Sequence, residues 1–223
     1  GKVTVNGVDV SEKTDEAKHM RHKVGMVFQY PEHQLFEETI AEDIAFGPKN
    51  LGLDAEEVDR RVREAMAFVG LDYDTYAERS PFHLSGGQMR RVAIAGVVAM
   101  EPDFLVLDEP SAGLDPFGRE EIFDEIIKLH KEKDVTVILV SHNMEDISRM
   151  ANRLIVLDKG QIVLDGKPLD IFNHHRHVLQ QVGVDVPPVS VLIESLRNRG
   201  LDVSNEVLTV DDAVQAILEG GQH

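Results

Sequence analysis

A run of four apolar residues ends in two carboxylates at Phe104-Leu105-Val106-Leu107-Asp108-Glu109-Pro110. Consecutive apolar residues over this length are typical of a buried strand. Such a strand brings Asp108 to its end, where a carboxylate can hold Mg²⁺, usually through water. The adjacent Glu109 can accept a proton from a water that attacks a phosphate. Two neighbouring carboxylates can also be a solvated exit from a strand, and this run alone leaves both interpretations open.

Strand-like and helical patterns alternate on both sides of this run. The apolar strand-like runs are Val24–Phe28, Phe104–Leu107 and Val135–Val140, and the helical patterns fall at about Gln88–Met100 and at residues 117–132. Alternation of this kind predicts an α/β fold in which helices cover a parallel sheet. Open sheets of this type place their sites at the carboxyl ends of strands. Gln29, Asp108 and the pair Ser141-His142 all fall at such ends.

Local turn and cap signals predict further elements around this sheet. Asn6-Gly7 and Lys159-Gly160 each separate two short alternating runs, which predicts a β-hairpin at either position. Asp54 followed by Glu57 predicts the start of a helix, and Gly70 suits its end.

Leu84-Ser85-Gly86-Gly87-Gln88 precedes the predicted helix that ends near Met100. Two glycines let backbone N–H groups approach an oxyanion without an intervening Cβ. The helix N-terminus adds partial positive charge, and the Ser85 hydroxyl adds a further donor. The motif therefore predicts a phosphate site that needs no lysine. A serine-capped helix after a glycine turn is the alternative interpretation.

Three weaker candidates accompany these motifs. Ser111-Ala112-Gly113-Leu114-Asp115 is a tight glycine-containing loop that ends in a carboxylate. His142 follows a predicted strand, where it could reach a γ-phosphate, although a lone histidine is more often structural. The Gln29 amide could contact Mg²⁺ or the attacking water. Each of these features alone is weak.

Composition excludes several classes of protein. Forty acidic residues against 23 basic ones give a formal charge of −17, which argues against a nucleic-acid partner. The chain contains no cysteine, so disulfides, thiol catalysis and cysteine-based zinc sites are excluded. The longest nearly apolar stretch, Val92–Met100, is too short to span a bilayer. No secretory signal is visible at Gly1-Lys2-Val3, and the missing initiator methionine suggests a piece of a longer chain.

Taken together, the five motifs resemble those of the ATP-binding cassette (ABC) ATPases. In order along the chain they match the Q-loop, the signature, Walker B, the D-loop and the switch histidine, at Gln29, Leu84–Gln88, Phe104–Glu109, Ser111–Asp115 and His142. The resemblance implies a P-loop NTPase-like fold with a parallel-sheet core and a helical subdomain. The runs Phe28–Phe36 and Ala45–Pro48 are most similar to the ATPase subunit of energy-coupling factor (ECF) importers of vitamins or transition-metal ions.

The resemblance also implies a role for each motif. ATP and Mg²⁺ are the expected ligands, with Asp108 and Gln29 on the metal. Glu109 is expected to be the general base, and His142 to orient or stabilise the γ-phosphate. The nucleotide contacts are expected from Gln29, Ser85, Gly86, Gly87, Gln88 and Asp115.

The partners implied by the resemblance are proteins. A second ATPase chain, identical or paralogous, is expected to sandwich ATP head to tail with this one, so that Ser85–Gly87 face the partner's nucleotide. A membrane-embedded ECF subunit and a substrate-binding component are also expected. The chain is then peripheral, on the cytoplasmic side of the cell membrane.

One motif of the family is missing from the 223 residues. The phosphate loop G-x-x-x-x-G-K-[ST] does not occur, because Gly160 and Gly166-Lys167 have the wrong spacing and Pro168 follows them. The aromatic residue expected to stack on adenine is missing as well. Gly1–Val5 looks like the strand that follows the phosphate-loop helix, so the simplest account is that the first segment is not in this chain. The chain alone is then expected to be inactive and to bind ATP weakly, unlike the intact polypeptide.

The predicted organisation is an ATPase domain over residues 1–168, with a helical subdomain at about 38–100, followed by a helical appendage over 169–223. In the appendage, His174, His175 and His177 suggest a hydrated loop, with a metal site as the less favoured alternative. Arg90 and Arg91 are expected on a solvated helix face or against a phosphate or a partner.

Two other functions remain open at this point. A non-catalytic, regulatory cassette could lack the phosphate loop. A soluble ABC ATPase of DNA metabolism carries long coiled coils before the signature, for which the segment between Gln29 and Leu84 leaves no room. Its DNA partner also conflicts with the acidic composition.

Overall fold

The computed structural model describes residues 1–220. The last three residues of the predicted appendage lie outside the described residues. The chain divides into two compact units, Gly1–Val140 and Ser141–His223. Each unit is described in turn, and the predicted domain division at residue 168 stays a prediction.

The first unit begins with strands and a short helix. The bounds are β1 Thr4–Val5, β2 Val8–Asp9, α1 Asp15–His22 and β3 Val24–Val27. The antiparallel pair β1–β2 confirms the first predicted hairpin. Its turn residues Asn6 and Gly7 both have positive φ, as the favoured two-residue turn requires.

A helical region separates β3 from the next strand. It comprises a 3₁₀ turn at Pro31–Gln34, α2 Ile40–Asn50, α3 Ala55–Phe68, α4 Tyr73–Tyr76, a second 3₁₀ turn at Pro81–His83 and α5 Gly86–Val98. Asp54 caps α3 by accepting a hydrogen bond from the Glu57 N–H at 2.9 Å, as predicted. Gly70 ends the helix at φ 69°, where a side chain would be strained. The motif Leu84–Gln88 lies at the start of α5, as its sequence indicated.

The remaining elements of the first unit complete a parallel sheet. They are β4 Phe104–Asp108, α6 Pro116–Lys133 and β5 Thr136–Val140. The strand order is β3-β4-β5, and both pairings are parallel, which confirms the predicted sheet. Opposite residues include Val27 with Leu107 and Asp108 with Val140. The carboxyl ends of the three strands consequently lie along one edge.

The core of this unit lies on one side of the sheet. On that side Val27, Leu105 and Leu107 have no solvent exposure, whereas Met26 and Ile138 on the other side are 43% and 48% exposed. Helix α5 approaches β3 closely at Gly25, where an added Cβ would lie 2.6 Å from Val97 Cγ1. Only glycine allows this contact, which fixes α5 against the sheet.

The second unit contains a hairpin and short helices. Its elements are α7 Met144–Met150, β6 Leu154–Asp158, β7 Gln161–Gly166, α8 Pro168–His174, α9 Arg176–Gln181, α10 Pro188–Asn198 and α11 Val210–Gly220. The antiparallel pair β6–β7 confirms the second predicted hairpin. One apolar cluster joins α7, the hairpin, α8 and α9, and another joins α10 to α11.

One expectation about this part of the chain changes. The segment with His174, His175 and His177 is not a loop, because the end of α8 and the start of α9 take up all of it except His175. The side chains are exposed as expected. Among residues 1–220, no group of three or more His, Asp or Glu side chains is arranged to hold a metal ion. No helix in the same range is both long and apolar enough to cross a membrane.

Candidate functional site

The predicted site residues of the first unit occur at the ends of strands and helices. Gln29 follows β3 by two residues, and Asp108 is the last residue of β4. Because β3 and β4 are adjacent and parallel, both side chains emerge at the same edge of the sheet. Gln29 is exposed, and Asp108 is partly buried. The sheet therefore brings these two predicted residues to neighbouring positions, as their place in the sequence indicated.

Glu109 is held in an unusual backbone conformation. Its φ is 48°, although it is not glycine and Pro110 follows it. Both a β-carbon and a following proline disfavour this region, at a cost of about 1–3 kcal/mol. The Glu109 N–H donates to the Val140 carbonyl at 2.9 Å, which ties the end of β4 to the end of β5. An observed strain of this kind, at a partly buried carboxylate, is typical of functional positions.

Tyr30 shows the same combination directly after Gln29. Its φ is 56°, and Pro31 follows it. The Tyr30 ring stacks on His33 with centroids 5.9 Å apart. The chain thus turns sharply just beyond the Gln29 side chain, so that the 3₁₀ turn Pro31–Gln34 begins at once.

Ser85 is the N-cap of α5 and forms a reciprocal capping box with Gln88. The Gln88 N–H donates to Ser85 Oγ at 3.3 Å, and the Ser85 N–H donates to Gln88 Oε1 at 3.1 Å. The Gln88 amide nitrogen also donates to the Tyr76 hydroxyl at 3.3 Å. Gln88 therefore orients the start of the helix and links it to α4, a link that the sequence did not reveal.

Gly86 and Gly87 are not required by the interior of the chain. Both lie in the first turn of α5, and neither has a positive φ. A Cβ added at either position would meet no described atom within 4 Å. Glycine costs about 1 kcal/mol relative to alanine in a helix, so its presence here needs another reason. Space left open over the N–H groups of a helix N-terminus fits an anion from outside the chain.

The loop after Glu109 ends in a second capped helix. Asp115 is the N-cap of α6, and its Oδ1 accepts a hydrogen bond from the Gly118 N–H at 2.7 Å. Gly113 has a φ of 75°, which explains the glycine in this turn. Asp115, which was predicted to contact the nucleotide, is therefore an exposed residue whose carboxylate caps a helix.

His142 belongs to the second unit and directly follows Ser141. Its side chain is exposed. The next residue, Asn143, caps α7 by accepting hydrogen bonds from the N–H groups of Glu145 and Asp146. His142 thus occupies the connection between β5 and a capped helix.

The prediction from the sequence was wrong about the environment of Arg90. A solvated face or an outside contact was expected, but the side chain is only 2% exposed. It is held by carbonyl groups of the loop after Glu109 and by Glu32. Its place one helical turn before the buried Ile94 on α5 was the available signal.

The oxygen donors at the sheet edge suit a magnesium ion. Asp108 offers a carboxylate and Gln29 an amide oxygen, and Mg²⁺ prefers oxygen ligands. Protein sites for this ion commonly supply one or two such groups, with water and substrate phosphates completing the shell. The chemistry of this donor set therefore fits Mg²⁺.

Comparisons with known proteins identify similar chains. A family model described as ABC transporter matches residues 1–112. The energy-coupling factor transporter ATP-binding protein of Clostridium perfringens is 54% identical over 219 residues, covering 98% of this chain and 76% of that protein. The corresponding protein of Clostridium tetani is 52% identical over 219 residues, with the same coverage of both chains.

Solved structures share the fold. CbiO1 from Clostridium perfringens, part of the ABC transporter complex CbiONQ, superposes with a TM-score of 0.69 at 32% identity, over 87% of this chain and 76% of that one. A dimeric ATP-binding cassette in a post-hydrolysis state, bound to ADP and phosphate, gives a TM-score of 0.64 at 29% identity, over 75% and 73%. Both comparisons extend the likeness beyond the residues that the family model matches.

Proposed function

The chain belongs to the ABC transporter ATP-binding family, and on that premise we propose that it is the ATP-hydrolysing subunit of an energy-coupling factor importer. The two Clostridium relatives are named as ATP-binding proteins of such transporters. The proposed cargo is a vitamin or a transition-metal ion. The observation that carries the proposal is the start of α5, where a Cβ added at Gly86 or Gly87 would meet no described atom within 4 Å, which leaves room for an anion beside Ser85.

The proposed chemistry is hydrolysis of the bond to the γ-phosphate of ATP. Asp108 and Gln29 would hold Mg²⁺, which supplies charge neutralisation on the phosphates when bound. Glu109 accepts a proton from the attacking water, and its fixed backbone keeps the carboxylate at the end of β4. The role proposed for His142, orienting or stabilising the γ-phosphate, rests on its position in the chain and on the family resemblance.

Two chains are proposed to share each nucleotide. Ser85, Gly86 and Gly87 of one chain would meet the γ-phosphate held by the partner, with Gln88 orienting the helix start and Asp115 contributing from the D-loop. The exposed position of Ser85 and Gly86 supports this arrangement, since their polar groups are accessible from outside. The dimeric cassette with ADP and phosphate provides an example of a related pair.

A membrane subunit is the second proposed partner, which would place the chain on the cytoplasmic side of the cell membrane. Phe36 and Phe46 support this, because their rings form an edge-to-face pair 4.9 Å apart and are 56% and 46% exposed. The segment between the Pro31–Gln34 turn and α2 is fixed to α2, because the N–H groups of Phe36 and Glu37 both donate to Asp43 Oδ2 at 2.9 Å. An exposed, rigid aromatic pair suits contact with apolar side chains of another protein.

The catalytic role of Glu109 is tested by Glu109→Gln in the full-length gene product. The amide keeps the size of the side chain but cannot accept the proton. We expect kcat for ATP hydrolysis to fall by about 10²–10⁴-fold, while the dissociation constant of Mg-ATP changes little.

The matched control is Glu132→Gln, an exposed carboxylate near the end of α6. It is expected to leave both quantities unchanged. Unaltered turnover in Glu109→Gln would remove Glu109 from its proposed role. Failure of the wild-type full-length protein to hydrolyse ATP would favour a regulatory cassette instead.

A further inference from the structure

Arg90 is a charged side chain enclosed within the first unit. It is 2% exposed, and by volume it leads the fully buried side chains of the described residues. A guanidinium stays charged in proteins, so burying it is costly unless its N–H groups are paired. The partners of Arg90 therefore show what its burial achieves.

Those partners come from two different loops. Nη1 donates to the carbonyl of Pro110 at 2.9 Å and to that of Ala112 at 2.7 Å. Nε donates to Glu32 Oε2 at 3.3 Å. The two carbonyls flank Ser111 in the loop that begins directly after Glu109. Glu32 lies in the 3₁₀ turn just after Gln29.

The charge of Glu32 makes these contacts interdependent. Its side chain is 17% exposed and is an ion-pair partner of the buried guanidinium. Weakening this pair leaves the Arg90 charge less compensated and the bonds to the two carbonyls less well oriented. A change at the Pro31–Gln34 turn would then reach the loop after the proposed general base through Arg90.

We propose that Arg90 is a positioning residue that couples the Pro31–Gln34 turn to the loop Pro110–Ala112, and through it to Glu109. The inference rests on the proposed ATP hydrolysis for its functional part. Its structural part stands on the hydrogen bonds of Arg90 alone. In the proposed importer, the turn is the part of the chain that precedes the exposed Phe36, so the link would connect the membrane-facing side to the hydrolytic edge of the sheet.

Hydrogen exchange tests the link without using activity. The Ala112 N–H donates to Glu109 O at 3.0 Å, and the Leu114 N–H donates to Ser111 O at 3.2 Å, so both amides report on the loop. In Glu32→Gln full-length protein, we expect these two amides to exchange about fivefold faster than in the wild type.

The matched control is Glu38→Gln, an exposed carboxylate in the same segment. It is expected to leave the exchange at Ala112 and Leu114 unchanged. Equal exchange in Glu32→Gln and the wild type would overturn the coupling, whatever the protein's activity.

Kinetics test the consequence for catalysis. Arg90→Lys keeps the charge but loses the planar fork, so we expect kcat for ATP hydrolysis to fall about tenfold, with KM changed less than about twofold. Glu32→Gln is expected to act in the same direction, and the double variant to be no slower than the worse single variant, because both disturb one link.

Arg91→Lys is the control on the same helix, since Arg91 pairs with Glu121 on α6. It is expected to retain the wild-type kcat. Additive effects of Arg90→Lys and Glu32→Gln, or a loss confined to KM, would overturn the positioning role. If Arg90→Lys does not fold, Glu32→Gln alone decides, and an unchanged kcat there refutes it. Absence of hydrolysis in the wild type would instead contradict the proposed function, leaving the exchange result to decide the link.

Discussion

Glu125 shows how burial alters a single side chain in this protein. It lies on α6, and its Oε2 atom is buried without a hydrogen-bond partner among the described residues. Burial raises the pKa of Glu125 to about 7, while Arg91 lowers it and Glu121 raises it further. The folded state therefore binds a proton on this carboxyl at a pH where the unfolded chain, with an ordinary glutamate pKa, has lost it.

This difference predicts a pH dependence of stability. Between about pH 4.5 and pH 7 the folded state carries more protons, so the contribution of Glu125 to stability falls as the pH rises. Glu125→Gln mimics the protonated form at every pH. We expect it to raise the free energy of unfolding at pH 8 by about 1 kcal/mol, after allowance for partial exposure, and to have little effect at pH 5. Denaturant unfolding of both proteins at pH 5 and pH 8 measures this difference in the free energy of unfolding.

Glu132→Gln is the control at this scale, because Glu132 is exposed on the same helix. It is expected to show the same small effect at both pH values. A Glu125→Gln variant that is no more stable than the wild type at pH 8 would show that this carboxyl is not destabilised by burial.

At the scale of elements, local chemistry predicted well where one residue dictates the backbone. Asn6-Gly7 gave the first hairpin and Asp54 the start of α3. The missed elements lacked such signals: α1 is polar and buries only Ala17, and α2 contains Pro48, which disfavours a helix interior. Packing favours α2, which buries Ile40 and Ile44 and passes so close to Met100, just after α5, that an added Cβ at Gly47 would lie 2.7 Å from it.

The site was predictable in the same uneven way. The positions of Asp108 and Ser85 follow from strand and helix ends, which their own neighbours specify. The partners of Arg90 lie 20, 22 and 58 positions away in the sequence, so no local pattern reveals them. The strained backbone of Glu109 likewise depends on its bond to the end of β5.

The cap of α3 gives a prediction at the element scale. Asp54→Ala removes the acceptor of the Glu57 N–H, and we expect the free energy of unfolding to fall by about 1 kcal/mol. Asp54→Asn keeps an equivalent acceptor and is expected to be close to the wild type. Denaturant titration of both variants measures the difference. Equal stability of Asp54→Ala and Asp54→Asn would mean that the cap contributes nothing measurable.

At the scale of the whole molecule, we propose that two chains complete each other's nucleotide sites. The chain carries a formal charge of −17, so two copies repel at long range, and an attraction through bound nucleotide has to exceed that repulsion. The open start of α5 is where we expect this attraction to act. A substitution that fills that opening but leaves the fold intact would remove the attraction through nucleotide and leave the charge repulsion unchanged.

The most direct test is to measure ATP-dependent dimerisation by analytical ultracentrifugation. The protein is the full-length Gly86→Ala/Gly87→Ala variant in the Glu109→Gln background. Both added Cβ atoms point into open space, so we expect the monomer to fold as well as before. The variant is predicted to remain monomeric with Mg-ATP. Gly96→Ala, where an added Cβ makes ordinary contacts at 3.9 Å on the same helix, is predicted to dimerise. Dimerisation of the double variant as readily as Gly96→Ala would contradict the account.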